Sequence, residues 1–62
     1  MPEILNVDEA AELLRLKKST VYFYVESRRL PHLKVGGKLL FEKSALLEWL
    51  LSHRVDPVVS VR

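Results

Sequence analysis

The sequence has no cysteine, no long hydrophobic run and only two glycines among its 62 residues. Without cysteine the chain can form no disulfide and perform no thiolate chemistry, which fits a reducing intracellular compartment. The longest uninterrupted apolar run, Val21–Val25, is far shorter than the ~20 residues of a membrane span. The acidic N-terminus does not resemble a signal peptide. We therefore expect a cytoplasmic protein that does not enter the membrane.

The sequence also lacks clusters of catalytic or metal-binding side chains. His32 and His53 lie far apart along the chain, and without cysteine or a close carboxylate cluster they form neither a catalytic triad nor a zinc site. Gly36-Gly37 lacks the Lys-Ser/Thr pair and the helix start that follow the glycines of a phosphate loop. We predict a non-enzyme with no metal and no cofactor.

Charge is distributed unevenly, although the formal net charge is only +2. Residues 1–14 contain four acidic residues and no basic residue. Residues 15–43 contain eight Lys or Arg and two Glu, a net charge of +6. A basic segment in so small a domain is typical of a polyanion binder, and a solvated surface without any ligand produces such clusters as well.

Hydrophobic spacing predicts two short helices joined by a tight turn. Asn6 and Glu9 have the spacing of a helix N-cap and its third residue, and the apolar residues that follow recur at helical intervals up to Leu14. A break of about three residues leads to a second helix from about Lys18 to Ser27. Two helices joined in this way indicate a helix-turn-helix.

A glycine-turned hairpin and a closing helix follow. Leu30-Pro31 ends the helix pair, and Gly36-Gly37 supplies a two-residue turn between two short strands. Glu42 or Ser44 is expected to cap the last helix, whose core side contains Leu46, Trp49 and Leu50. The fold class is therefore a small α+β winged helix-turn-helix, with two short helices, a two-stranded hairpin wing and a closing helix.

We predict one domain over residues 1–54 and an apolar C-terminal tail over residues 55–62. Leu47 and Leu51 form a second apolar stripe on the closing helix, and the adjacent Leu39 and Leu40 must point to opposite faces of their strand, so that at least one is expected to be exposed. Either the tail folds back over the leucines, or it serves oligomerisation or as a linker to a longer protein.

These segments resemble the excisionase-like, MerR-related DNA-binding family. Val7–Leu14 (VDEAAELL) is similar to the first helix of the family, and Lys18–Tyr22 (KSTVY) to the start of its recognition helix. Leu30-Pro31 and Val35–Lys38 (VGGK) resemble its wing, and Lys43–Leu50 (KSALLEWL) resembles its closing helix. Together these motifs are specific, although each alone is weak.

The resemblance implies that the second helix enters the major groove of double-stranded DNA, while the hairpin reaches a minor groove or the backbone. With Val21 and Val25 facing inward, the 100° spacing turns four other side chains outward. We expect Tyr24, in contrast, to pack in the core with its hydroxyl in water. The base-facing candidates are Ser19, Tyr22, Phe23 and Glu26.

Each candidate has a chemistry suited to DNA. Ser19 or Thr20 can donate to a phosphate, and Tyr22 can bond a phosphate or stack. Phe23 can meet a thymine methyl group, and Glu26 can accept from cytosine N4. For each predicted contact to the DNA backbone, the alternative is a solvated surface position without a ligand. The predicted contacts are Lys17, Lys18, Arg28, Lys34 and Lys38.

Some residues depart from the family pattern. Arg15 and Arg28 stand where the family often has glycine, at helix ends that need a positive φ, and Lys17 stands where Ser or Thr would cap. All three departures weaken local structure and add positive charge. We hypothesise that this exchange favours phosphate contact at the expense of stability.

Two functions remain open at this stage. The first is an excisionase-like accessory factor of site-specific recombination or a small transcriptional regulator. Such a protein is expected to bind DNA as a homo-oligomer and to associate with the nucleoid, and a recombinase or another protein is expected as a further partner. The second is a protein-interaction module that uses the helix-turn-helix as a scaffold, with Phe23, Leu40 and the tail as its interface. The basic middle segment favours DNA, and Phe23 and Glu26, where the family commonly has basic residues, favour protein.

Overall fold

The computed structural model of the chain describes residues 3–55 and residue 57. These residues form three helices and a three-stranded antiparallel sheet, which is the small α+β fold of a winged helix-turn-helix, as predicted. The predicted tail lies outside the described residues apart from Val55 and Pro57, both of which are exposed. The elements are β1 (Ile4–Leu5), α1 (Val7–Leu14), α2 (Lys18–Glu26), β2 (Leu33–Val35), β3 (Lys38–Glu42) and α3 (Lys43–Ser52).

A complete capping box starts α1, as the spacing predicts. The backbone N–H of Glu9 donates to Oδ1 of Asn6 at 2.8 Å, and the backbone N–H of Asn6 donates to Oε1 of Glu9 at 2.9 Å. Two N–H groups that would otherwise lack partners at the helix start are thereby satisfied. This cap fixes the direction of α1 and, with it, the position of the first-turn residue Asp8.

Among the elements of the described residues, strand β1 was not predicted from the sequence. It pairs antiparallel with β3, with Ile4 opposite Glu42 and Leu5 opposite Phe41, so the sheet order is β1-β3-β2. A strand of two residues is too short to show an alternating pattern. The predicted two-stranded wing is thus the outer part of a three-stranded sheet.

The core lies between α1, α2, α3 and β3. Phe41, Leu46 and Val21 are its largest fully buried side chains, and Trp49 and Tyr24 pack against it half-buried. The remaining buried residues are Leu5, Ala10, Ala11, Leu14 and Leu30.

Two expectations about the leucines are wrong. Leu50, expected in the core, is 40% exposed. Helix α3 packs against the core through Leu46 and Trp49, and no described element covers Leu50. Leu39 and Leu40 are both half-buried, so neither is fully exposed. Leu39 packs against the core, whereas Leu40 lies directly opposite Leu33 across the hairpin.

Within the described part of the chain, no helix has the length and apolar character needed to cross a membrane.

Candidate nucleic-acid interface

Helix α2 presents one side to the core and the other to solvent. Val21 is fully buried and Val25 is half-buried, so the helix is anchored along this side. On the opposite side, Tyr22 is 45% exposed and Phe23 is 59% exposed. Ser19 and Glu26 are exposed as well. The four side chains predicted to face bases are therefore accessible on one outer surface.

The start of α2 has no side-chain cap. Lys17 is the N-cap residue, and its side chain makes no capping hydrogen bond, as expected for a lysine in place of Ser or Thr. Ser19 is exposed and Thr20 is half-buried in the first turn. Helix N–H groups at this end lack intrahelical partners and favour negative charge. The first turn of α2 is accordingly compatible with a phosphate.

Lys18 forms an ion pair that the sequence analysis does not predict. Its Nζ lies 2.9 Å from Oδ1 of Asp8, which is in the first turn of α1. The hydrogen bond to Asp8, together with the negative charge of that carboxylate, raises the pKa of Lys18. No local pattern signals this pair, because the two residues meet only when α1 and α2 pack against each other.

The hairpin turn has the predicted backbone geometry. Gly36 and Gly37 have φ values of 54° and 81°, which suits the turn type that matches the twist of two hairpin strands. The register sets Val35 opposite Lys38 and Lys34 opposite Leu39. Both predicted wing lysines are thus held on the hairpin next to its turn, and both are exposed.

An open groove is lined by residues of α2, of the wing and of the N-terminal end of α1. It brings together four predicted residues, two from α2 and two from the wing. Asp8 also lines it, so carboxylates and ammonium groups share this surface. The lining residues are Asn6, Val7, Asp8, Tyr22, Val25, Glu26, Lys34, Gly37, Lys38, Leu39 and Leu40.

A second groove continues from the first past the end of α2. Val25, Glu26 and Lys34 line both, and the second is also lined by Arg28 and Arg29. The remaining lining residues of the second groove are Leu30, Pro31 and His32.

Arg28 and Arg29 give this second groove its positive charge. Arg28 has a φ of 58°, as does Arg15 at the end of α1, so the positive φ expected at both positions is confirmed. Arg29 is absent from the predicted contact residues, although its position beside Arg28 in the basic segment is a signal that could have included it.

Helix α3 holds the loop that bears these arginines. The indole N–H of Trp49 donates to the backbone carbonyl of Arg29. The ring of Trp49 also meets that of Tyr24 edge-on, with ring centroids 5.5 Å apart. Tyr24 is half-buried, which confirms its predicted core position. The closing helix therefore supports the candidate interface from behind.

The structure does not bring every predicted residue into the grooves. Five of the predicted residues, all on or beside α2, line neither groove: Lys17, Lys18, Ser19, Thr20 and Phe23. The contact role of each predicted residue stays a prediction.

Comparison with models of protein families identifies a family for this chain. A family model described as a helix-turn-helix domain matches residues 4–54, a range that includes all six elements. None of the curated proteins matches the chain, and none of the solved structures does.

Proposed function

Because the chain belongs to the helix-turn-helix domain family, which is excisionase-like, we propose that it is a sequence-specific binder of double-stranded DNA. Helix-turn-helix domains are DNA-binding and typically non-enzymatic. In the proposed complex α2 enters the major groove, while the wing of β2 and β3 reaches the minor groove or the backbone.

The observation that supports this proposal best is the groove shared by α2 and the wing. It joins Tyr22 and Glu26 of α2 to Lys34 and Lys38 of the wing on one open surface. A major groove about 12 Å wide admits one α-helix, and lysines beside that helix meet the phosphates that flank the groove. The arrangement thus combines groups that read base edges with groups that neutralise the backbone.

The proposed roles follow the chemistry of each exposed side chain. Glu26 accepts from cytosine N4, Phe23 contacts a thymine methyl group, and Tyr22 bonds a phosphate or stacks. Ser19 and Thr20 donate to a phosphate at the start of α2. Phosphate contacts are assigned to Lys17, Lys18, Arg28, Lys34 and Lys38.

We further propose the biological setting that the sequence suggests. The protein acts as an accessory factor of site-specific recombination or as a small transcriptional regulator, and it binds adjacent sites as a homo-oligomer, with a recombinase or another protein as a further partner. A DNA-binding role implies association with DNA in the cell, and a cytoplasmic, nucleoid-associated location is part of this proposal.

A protein-interaction module is the second candidate function. The exposure of two aromatic side chains on α2 favours it, 45% for Tyr22 and 59% for Phe23, because aromatic residues are enriched at protein interfaces. Leu40, the other proposed anchor, is half-buried and offers less surface than the sequence suggested. The tail, its third part, lies mainly outside the described residues.

The test is fluorescence anisotropy of a labelled mixed-sequence duplex across a salt series. We expect micromolar binding that weakens steeply with salt, because each neutralised phosphate contributes about 0.9 to the slope of log K against log salt. Lys34→Gln and Lys38→Gln should each reduce this slope by about one. Lys43→Gln is the matched control, since Lys43 lies on α3, pairs with Glu3 at 3.4 Å and lines neither groove.

Absence of binding at low salt would contradict the DNA proposal and favour the protein-interaction module. Equal slopes for all three variants would contradict the placement of the wing at the backbone.

A further inference from the structure

The Asp8–Lys18 ion pair connects the first turn of α1 to the first turn of α2. Lys18 is the first residue of α2, and Asp8 lines the groove between α2 and the wing. Their charged atoms are 2.9 Å apart, and their side chains are 73% exposed for Asp8 and 56% for Lys18. Asp8 is therefore on the surface that the proposed function presents to DNA, and Lys18 contacts it from the start of α2 without lining the groove itself.

Asp8 is not needed for the cap of α1. The capping box is made by Asn6 and Glu9, whose side chains bond the backbone N–H groups. Asp8 directs its carboxylate to Lys18 instead, and an exposed pair of this kind adds little to stability. In the first turn of α1 its negative charge also favours the N-terminal end of the helix dipole, an effect that does not require the contact with Lys18.

We propose that Asp8 is an intramolecular competitor of phosphate at Lys18 and thereby limits the electrostatic affinity of the protein for DNA. This inference rests on the proposed function. In the free protein the carboxylate occupies Lys18, so the pair has no net charge to attract a phosphate. When a phosphate arrives, it must displace Asp8 or share the ammonium group, which has three N–H donors.

The cost to DNA binding persists even if the ammonium group is shared. The Asp8 carboxylate then stays within a few ångströms of the phosphate, well inside the Debye length of about 10 Å at 0.1 M salt. Glu26 lines the same groove as Asp8 and adds a second carboxylate to that surface. The repulsion acts on any duplex, because a phosphate contact contains no sequence information.

Replacing Asp8 by Asn tests this role, because it removes the charge and keeps the size. At about 0.1 M salt Asp8→Asn should raise affinity for a mixed-sequence duplex roughly three- to tenfold and steepen the salt slope by about one. The matched control is Glu48→Gln, which changes net charge equally but lies exposed on α3 and lines neither groove. It should change affinity less than about twofold, as distant exposed charges are screened.

A double-mutant cycle separates competition from a simple change of net charge. Lys18→Met should weaken duplex binding more in the Asp8→Asn background than in the original protein, since in that background no carboxylate competes with phosphate for the ammonium group. Thermal unfolding of each variant verifies that the fold is kept.

Equal gains from Asp8→Asn and Glu48→Gln, or equal losses from Lys18→Met in both backgrounds, would overturn the inference while leaving the proposed function intact. Failure of every variant and of the original protein to bind the duplex at low salt would instead overturn the proposed function.

Discussion

Arg15 and Arg28 hold backbone conformations that glycine adopts at little cost. Both have a φ of 58°, where the Cβ atom of an L-residue costs roughly 1–2 kcal/mol. Arg28 is exposed and lines the groove beyond α2 next to Glu26. The strain at this position therefore coincides with a cation on the candidate interface.

Replacing Arg28 by Gly should raise stability and lower DNA affinity together. Relief of the positive-φ strain, partly offset by the larger entropy of unfolded glycine, should stabilise the fold by roughly 0.5–1 kcal/mol. Loss of one phosphate contact should reduce the salt slope by about one. Thermal unfolding and duplex anisotropy measure the two effects.

The control for this prediction is Arg28→Ala, which removes the charge but keeps the Cβ atom. It should lower affinity equally without the gain in stability. A Gly variant that is both less stable and weaker in binding would contradict the proposed exchange.

At the scale of the element, the conformation of the wing depends on the glycine turn that joins β2 to β3. The residues Gly36 and Gly37 both have positive φ, and the space around each would admit a Cβ atom, since apart from the glycine and its two chain neighbours no heavy atom lies within 4 Å of its ideal position. The need for glycine in this turn is therefore conformational and not steric. This distinction predicts which substitutions the wing tolerates.

Gly36→Val should destabilise the hairpin by roughly 1–2 kcal/mol, because a β-branched residue rarely adopts positive φ. Gly36→Asn should cost less, since asparagine tolerates the left-handed region. Chemical denaturation of both variants measures the difference. If the two changes cost the same, the turn conformation is not what selects glycine.

At the scale of the whole molecule, α3 leaves apolar surface uncovered by the described residues. Leu47, Leu50 and Leu51 are exposed by 39%, 40% and 67%. None of the three lines the grooves between α2 and the wing. We refer to these three residues as the α3 leucine surface. In the proposed homo-oligomer, a second copy of the protein bound to an adjacent DNA site covers this surface.

Binding to tandem sites should then be cooperative, and Leu51→Gln should reduce this cooperativity more than it reduces affinity for a single site. Leu51→Met retains an apolar side chain and should behave as the original protein does. The measurement is a titration of duplexes with one or two sites, once a site has been selected. Independent filling of adjacent sites would count against the homo-oligomer.

Leu40→Lys is a less specific test of the homo-oligomer proposal than Leu51→Gln. Leu40 lines the groove beside α2 and is half-buried, so its replacement is expected to change single-site affinity as well.

The sequence by itself determined the features that depend on neighbouring residues. The capping box at Asn6, the glycine turn at Gly36, the outward side of α2 and the positive φ of Arg28 were all predicted, the last through a family resemblance. Backbone sterics, capping and helical periodicity act over a few residues, so they can be deduced from local spacing.

Only the tertiary structure decided the features that depend on how elements pack. Strand β1, the exposure of Leu50, the hydrogen bond from Trp49 to the carbonyl of Arg29 and the pairing of Asp8 with Lys18 all arise between elements that are separate in the sequence. Such contacts require a particular register and helix packing, which single-sequence periodicity does not specify. The basic residues predicted to bind DNA can therefore be identified from the sequence alone. That Asp8 neutralises one of them, Lys18, is known only from the folded structure.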